Sequence, residues 1–204
     1  METQERILEK AHELFMMYGI RSVSMDEIAA HLGISKKTIY QFYADKDALV
    51  EGVIDIEMNN GTCDCENNKV KSENAIHEVY LGDECFDDML KVMNPSVMYD
   101  LEKYHPKAHK KVSEYRNKFL YEAVKENLER GIAEGVFRDD INTEVLSRFR
   151  IASVFLLFNP DLMPHGKYSM IQLLQVLTDN YLSGAATAKG LKFIQKHKTQ
   201  GIKQ

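Results

Sequence analysis

The 204-residue chain has no tryptophan, and only four prolines, eleven glycines and three cysteines. So few turn formers exclude a turn-rich all-β sandwich or barrel and point to helices joined by short loops. An odd number of cysteines, with Cys63 and Cys65 one residue apart, makes no disulfide framework and suits a reducing compartment. Long apolar runs are missing too. The longest nearly uninterrupted run, residues 151–158, is well short of the roughly 18 residues a membrane span needs. The first twenty residues are charged and periodic, unlike a signal peptide, so the expected location is cytoplasmic with no membrane partner. No Ser/His/Asp set, phosphate-cradling glycine loop or paired carboxylate stands out, so catalysis has no positive support and no cofactor is expected.

What is present is an ordinary globular balance, 44 % hydrophobic and 28 % charged residues, enough to bury a core. The net charge of −5 is uneven: residues 1–50 carry six basic and eight acidic side chains, residues 51–183 carry fifteen and twenty-three, and residues 184–204 carry five and none. An acidic bulk concerns solubility, whereas phosphate binding depends on a local cluster on one face.

Helical periodicity starts at once. Ile7, Ala11, Leu14, Phe15 and Tyr18 share one face of a helix over residues 4–18, which Gly19 ends. Ser24 and Glu27 form a capping box for a second helix ending near Leu32. Gly33 then supplies a left-handed C-terminal cap, and Ser35 caps a third helix over residues 36–42. Asp45 caps a fourth, expected over residues 46–58 and followed by a polar loop over residues 59–72. Helices are further expected at residues 73–93, up to Tyr104, 106–134, 143–158 and 168–182, with a frayed basic tail from Lys189 to Lys203.

Residues 24–43 have the build of a helix-turn-helix: Ala29 is small at the crossing, Gly33 makes the turn, and Ile28, Leu32, Ile34, Ile39 and Phe42 face Leu14, Phe15 and Tyr18 of the first helix. Lys36, Lys37, Thr38, Tyr40 and Gln41 are left outside, residue types that suit phosphates and base edges.

These features, with Ile28-Ala29, the run from Gly33 through Tyr43 and Lys46-Asp47-Ala48-Leu49, make residues 4–55 similar to the tetracycline-repressor (TetR) family of bacterial regulators. The resemblance implies an all-α protein, with a three-helix DNA-binding domain at residues 1–50 joined to a larger helical effector-binding and dimerisation domain at 51–204. It places Ser24, Thr38, Tyr40 and Lys46 at phosphate positions, and Lys36, Lys37 and Gln41 at base-facing ones. The implied partners are a double-stranded DNA operator, a small-molecule effector and a second copy of the chain.

In the larger part Met89, Met93, Met98, Tyr99, Tyr115 and Phe119 are candidates for an adaptable apolar effector pocket. The helices at 143–158 and 168–182 are apolar on nearly every face, so Phe155, Phe158, Leu173, Leu177 and Tyr181 are candidates for a dimer interface. Cys63, Cys65, Cys85 and His77 are of metal-ligand type but lack closed spacing, and His105 and His109 straddle a helix start at Pro106, so no metal is expected. The competing reading is a helical protein-interaction module that keeps the helix-turn-helix as scaffold, motivated by the net negative first fifty residues.

Overall fold

The structure is a computed structural model, and it describes residues 2–159, 161–163 and 166–201. Among the described residues there are eleven α-helices and no strand. They are α1 (Thr3–Tyr18), α2 (Met25–Leu32), α3 (Lys36–Tyr40), α4 (Lys46–Lys71), α5 (Ala75–Val92), α6 (Ser96–Tyr104), α7 (Pro106–Tyr115), α8 (Tyr121–Ala133), α9 (Thr143–Phe155), α10 (Met170–Ala185) and α11 (Ala188–Gly201). A π-helical turn, Arg116–Leu120, carries α7 into α8, and a 3-10 turn, Leu156–Phe158, extends α9.

The chain forms two compact units. Of the described residues, the first comprises those up to Gly61 with Met89–Tyr115, and the second Thr62–Asp88 with those from Arg116 onward. In the first, Ile7, Ala11, Leu14 and Phe15 of α1 are buried together with Ile28 and Ala29 of α2, Ile39 of α3 and Leu49, Val50 and Val53 of α4. Val97 and Leu101 of α6 and Ala108 of α7 are buried as well. In the second, Ala75, Ile76, Leu128, Phe137, Tyr181, Leu182 and Ile194 belong to one core cluster.

The expected caps form. Ser24 accepts from Glu27 N–H at 3.2 Å while Glu27 Oε2 accepts from Ser24 N–H at 2.6 Å. Gly33 sits at φ +67°, a left-handed turn that costs glycine no Cβ clash. Ser35 accepts from Thr38 N–H at 3.1 Å, and Asp45 from Ala48 N–H at 2.8 Å.

Three sequence expectations are corrected. The polar stretch 59–71 is helix, the second half of α4. Asparagine and glycine lower helix propensity by only about 0.5–1 kcal/mol each, and Gly61 is a site of close approach, since a Cβ there would lie 3.0 Å from Tyr115 Oη. The basic tail is helical rather than frayed as far as Gly201, as α11, anchored by buried Ile194 and by His197 stacked on Tyr80 at 3.6 Å; residues 202 and 203 of that tail lie outside the described residues. In the helix-turn-helix, Phe42 and Tyr18 are exposed and Tyr43 is buried instead. The reason is that α3 ends at Tyr40, after which the chain turns and brings Tyr43, whose N–H donates to Ile39 C=O at 3.0 Å, to the inner side.

Candidate nucleic-acid interface

With Ile39 buried, α3 shows solvent the exposed side chains of Lys37 and Tyr40, and Gln41, which caps its C-terminus, is exposed beside them. Lys37 and Gln41 are four residues apart, on one side of the helix. Thr38 is half-buried, its hydroxyl 2.9 Å from Ser35 Oγ, and Ser24 stands exposed at the N-terminus of α2. Lys36 is also at this surface, but its ammonium donates to Asp26 Oδ2 at 2.7 Å, and that hydrogen bond raises its pKa. Both partners are exposed, so an incoming phosphate can exchange with the carboxylate.

Lys46 is the main departure from the expected phosphate set. Its ammonium donates to the backbone C=O of Ile20 and of Val23, each at 2.5 Å, and lies 5.6 Å from the centroid of the Phe15 ring. Burial lowers its pKa, against the pull of Asp100. The side chain that sequence placed on DNA is therefore an internal brace for the turn between α1 and α2.

The same turn is held from α6. Gly19 has φ +85°, and a Cβ there would lie 2.5 Å from Ser96 Oγ. Asn94 N–H donates to Met16 C=O at 2.6 Å, and buried Asp100 accepts from Arg21 N–H at 2.9 Å. The start of α4 is tied in turn by Asp47 to His105 at 2.6 Å, and by Lys111 to Asp55 at 2.8 Å and to Glu51 at 3.4 Å. Glu57 pairs with His12 of α1 at 2.8 Å. Sequence reasoning missed these partners because they are distant in the chain. One signal was available: Asp100 lies on the apolar stripe of α6 with Val97 and Leu101, where an acid needs a donor.

The remaining candidates are scattered. Met93 is buried, and Met89, Met98 and Tyr115 are half-buried in the first unit, whereas Phe119 is in the second. Tyr99 is 55 % exposed. Two open clefts of about 390 and 430 Å³ in the second unit, bordered among others by Lys189 with Phe193 and by Arg138 with Thr187, include none of these residues. Of the dimer candidates, Phe155, Phe158, Leu173 and Leu177 are half-buried. Tyr181 is corrected: it is 3 % exposed within this chain, with the Arg150 guanidinium 5.2 Å from its ring centroid. The apolar side chains exposed on α9 and α10 are Val145, Phe149 and Val176.

His105 is committed to Asp47, Cys63 is exposed, and burial pushes the Cys65 thiol up to about 11. Among the described residues no three His, Cys, Asp or Glu side chains converge as a metal site.

A capped helix, a left-handed glycine turn and a short second helix with a polar outer face define the helix-turn-helix class of regulators. Residues 7–53 match the sequence profile of bacterial regulatory proteins, tetR family, so this N-terminal module is similar to the DNA-binding module of those regulators. The HTH-type transcriptional regulator YvaF of Bacillus subtilis is 33 % identical over 104 residues, 50 % of this chain and 53 % of YvaF. The chain thus spans about half the length of this relative. Among solved structures, SCO4454, a TetR-family transcriptional regulator from Streptomyces coelicolor, superposes with TM-score 0.66 at 17 % identity over 90 % of this chain and 95 % of its own. FadR of Thermus thermophilus, a TetR-family repressor in complex with lauroyl-CoA, does so with TM-score 0.61 at 18 % identity, again over 90 % and 95 %. At these identities the likeness establishes the fold.

Proposed function

We propose that the protein is a ligand-responsive DNA-binding transcriptional regulator, a repressor released from a pseudo-palindromic operator by a small hydrophobic effector. The observation that carries this is the exposed set Lys37 and Tyr40 on α3 with Gln41 at its C-cap, beside the capped N-terminus of α2 at Ser24. Gln41 and Lys37 read base edges, with Lys36 joining them after release from Asp26. Ser24, Thr38 and Tyr40 position the phosphate backbone. Lys46 serves the interface indirectly, by fixing the turn that precedes Ser24. Residues 1–50 are the DNA-binding part and 51–204 the effector-binding and dimerisation part. The protein acts as a homodimer through α9 and α10, where Val145, Phe149 and Val176 are exposed.

An effector reaches DNA affinity through α6. Met93 is next to Asn94 and Met98 is two residues from Asp100, the two residues that hydrogen-bond the turn between α1 and α2 and its approach. An apolar ligand packed against Met89, Met93, Met98 and Tyr115 shifts α6 and loosens that hold, so the N-terminus of α2 loses its position. A coupling of roughly 1–3 kcal/mol changes operator affinity 5- to 150-fold.

The competing reading, a protein-interaction module, draws on one observation: Lys36 and Lys46 are engaged by the chain itself. Fluorescence anisotropy with a labelled duplex from upstream of the protein's own coding sequence separates the two. DNA binding driven by phosphate contacts weakens steeply between about 50 and 200 mM salt. Salt-insensitive association, or none, refutes it.

A further inference from the structure

A second set of cations lies beside the helix-turn-helix and outside its motif. Arg21, in the α1–α2 turn, holds its guanidinium 5.1 Å from the Tyr104 ring centroid and donates to Tyr104 Oη at 3.1 Å. On α6 the Lys103 ammonium stands 5.1 Å from the Tyr99 ring and 5.4 Å from the Tyr104 ring, and donates to Tyr99 Oη at 2.7 Å. The two rings meet edge to face at 6.4 Å. All four side chains are exposed.

Neither cation has a carboxylate in ion-pair contact among the described residues, in contrast to Lys36 or Lys111. The acid nearest in sequence on the buried side, Asp100, has Oδ2 occupied by the Arg21 backbone N–H. Glu102, beside Lys103, is exposed and turned about 100° away around the helix. The aromatic rings therefore orient the two charges without neutralising them. This lowers the entropy lost when an anion binds and leaves the full Coulombic attraction in place.

We propose that Arg21 and Lys103 form a phosphate-binding surface that carries the DNA contact from the N-terminus of α2 onto α6, beyond the bases read by α3. The inference rests on the DNA-binding reading above. Arg21 precedes the cap Ser24 by three residues, at most about 11 Å of chain, and Lys103 is one aromatic ring further on. Successive phosphates of one strand advance about 3.4 Å along the axis, so such a ladder serves the next few nucleotides outside each half-site. The Arg21 fork suits bidentate contact with a phosphate, and the Lys103 ammonium supplies a point charge.

The test uses an operator selected from a random duplex pool by the full-length protein, prepared in two lengths: one ending at the base pairs read by α3, the other extended by ten base pairs on each side. For the wild type the slope of log K against log salt steepens on the longer duplex, by about 0.9 for each added phosphate contact. Arg21→Ala/Lys103→Ala and, separately, Lys103→Glu remove the added slope while leaving the short-duplex slope and the thermal melt unchanged; Lys103→Arg retains it. Equal wild-type slopes on the two duplexes overturn the proposal, as does an equal loss of slope on both in the double variant. If this surface serves an acidic protein instead, duplex length has no effect. Failure to bind any duplex overturns the DNA-binding reading itself, a distinguishable result.

Discussion

Lys46 separates two accounts of one residue. As a phosphate ligand its loss would reduce the salt slope by about one and leave folding stability alone. The structure instead places its ammonium on the carbonyls of Ile20 and Val23, at 2.5 Å each. A hydrogen bond to a charged group contributes about 1.5–3 kcal/mol. Two such bonds, discounted for the part of the side chain still in water and for hydration of the freed carbonyls, make Lys46→Ala destabilising by on the order of 2 kcal/mol. Lys46→Met keeps an unbranched apolar side chain of similar length but neither the hydrogen bonds nor the charge over Phe15. Urea denaturation followed by circular dichroism gives the stabilities, and anisotropy at several salt concentrations gives the slopes. Expected are a fall in stability for both variants and a slope within a few tenths of the wild type. Unchanged stability with a slope reduced by one would refute the brace and restore Lys46 to the phosphate set.

Gly19→Ala puts a Cβ 2.5 Å from Ser96 Oγ at φ +85° and ψ 150°, a region open essentially to glycine alone, and should destabilise by about 1–3 kcal/mol from the backbone strain alone; a denaturation midpoint equal to wild type would contradict this. Asp100→Ala removes the acceptor of Arg21 N–H and should destabilise by about 1–3 kcal/mol, while Asp100→Asn recovers most of it, as thermal melts can check. The contact with Glu57 raises the His12 pKa above its ordinary 6.5, against the effect of burial. The folded state thus holds the proton more tightly than the unfolded one. The resulting stabilisation is complete below pH about 6.5 and is lost as pH rises through the raised folded value, a decline His12→Gln should flatten in a stability-against-pH series. Gln41→Ala should leave the salt slope nearly unchanged and relax preference at one or two operator positions, by on the order of 1–3 kcal/mol if the contact is bidentate; a uniform loss across sequences would count against base contact.

The helix-turn-helix was legible because its determinants are local. The capping box at Ser24 and Glu27, the turn at Gly33 and the cap at Ser35 each act within a few residues, and each forms as expected. Boundaries governed by tertiary contact were not legible. Residues 59–71 read as a loop from composition, yet they continue α4. The lysine-rich tail read as solvated, because Phe193 and Ile194 lie between Lys192 and Lys196 and only a partner surface shows them to be an anchor. At the site, the exposed face of α3 followed from periodicity. The engagement of Lys46 with Ile20 and Val23 did not, since a lysine at a helix start looks the same in sequence whether its ammonium meets a phosphate or a carbonyl.

If a pair of α3 helices, one from each of two copies of the chain, reads a symmetric DNA site, selection of bound sequences from a random duplex pool by the full-length protein will enrich a pseudo-palindrome with half-sites about 34 Å apart, or a multiple of that spacing. The enrichment is expected to vanish when Lys37 and Gln41 are both replaced by alanine. A pool that stays random, or an asymmetric single site insensitive to those two substitutions, would contradict that reading.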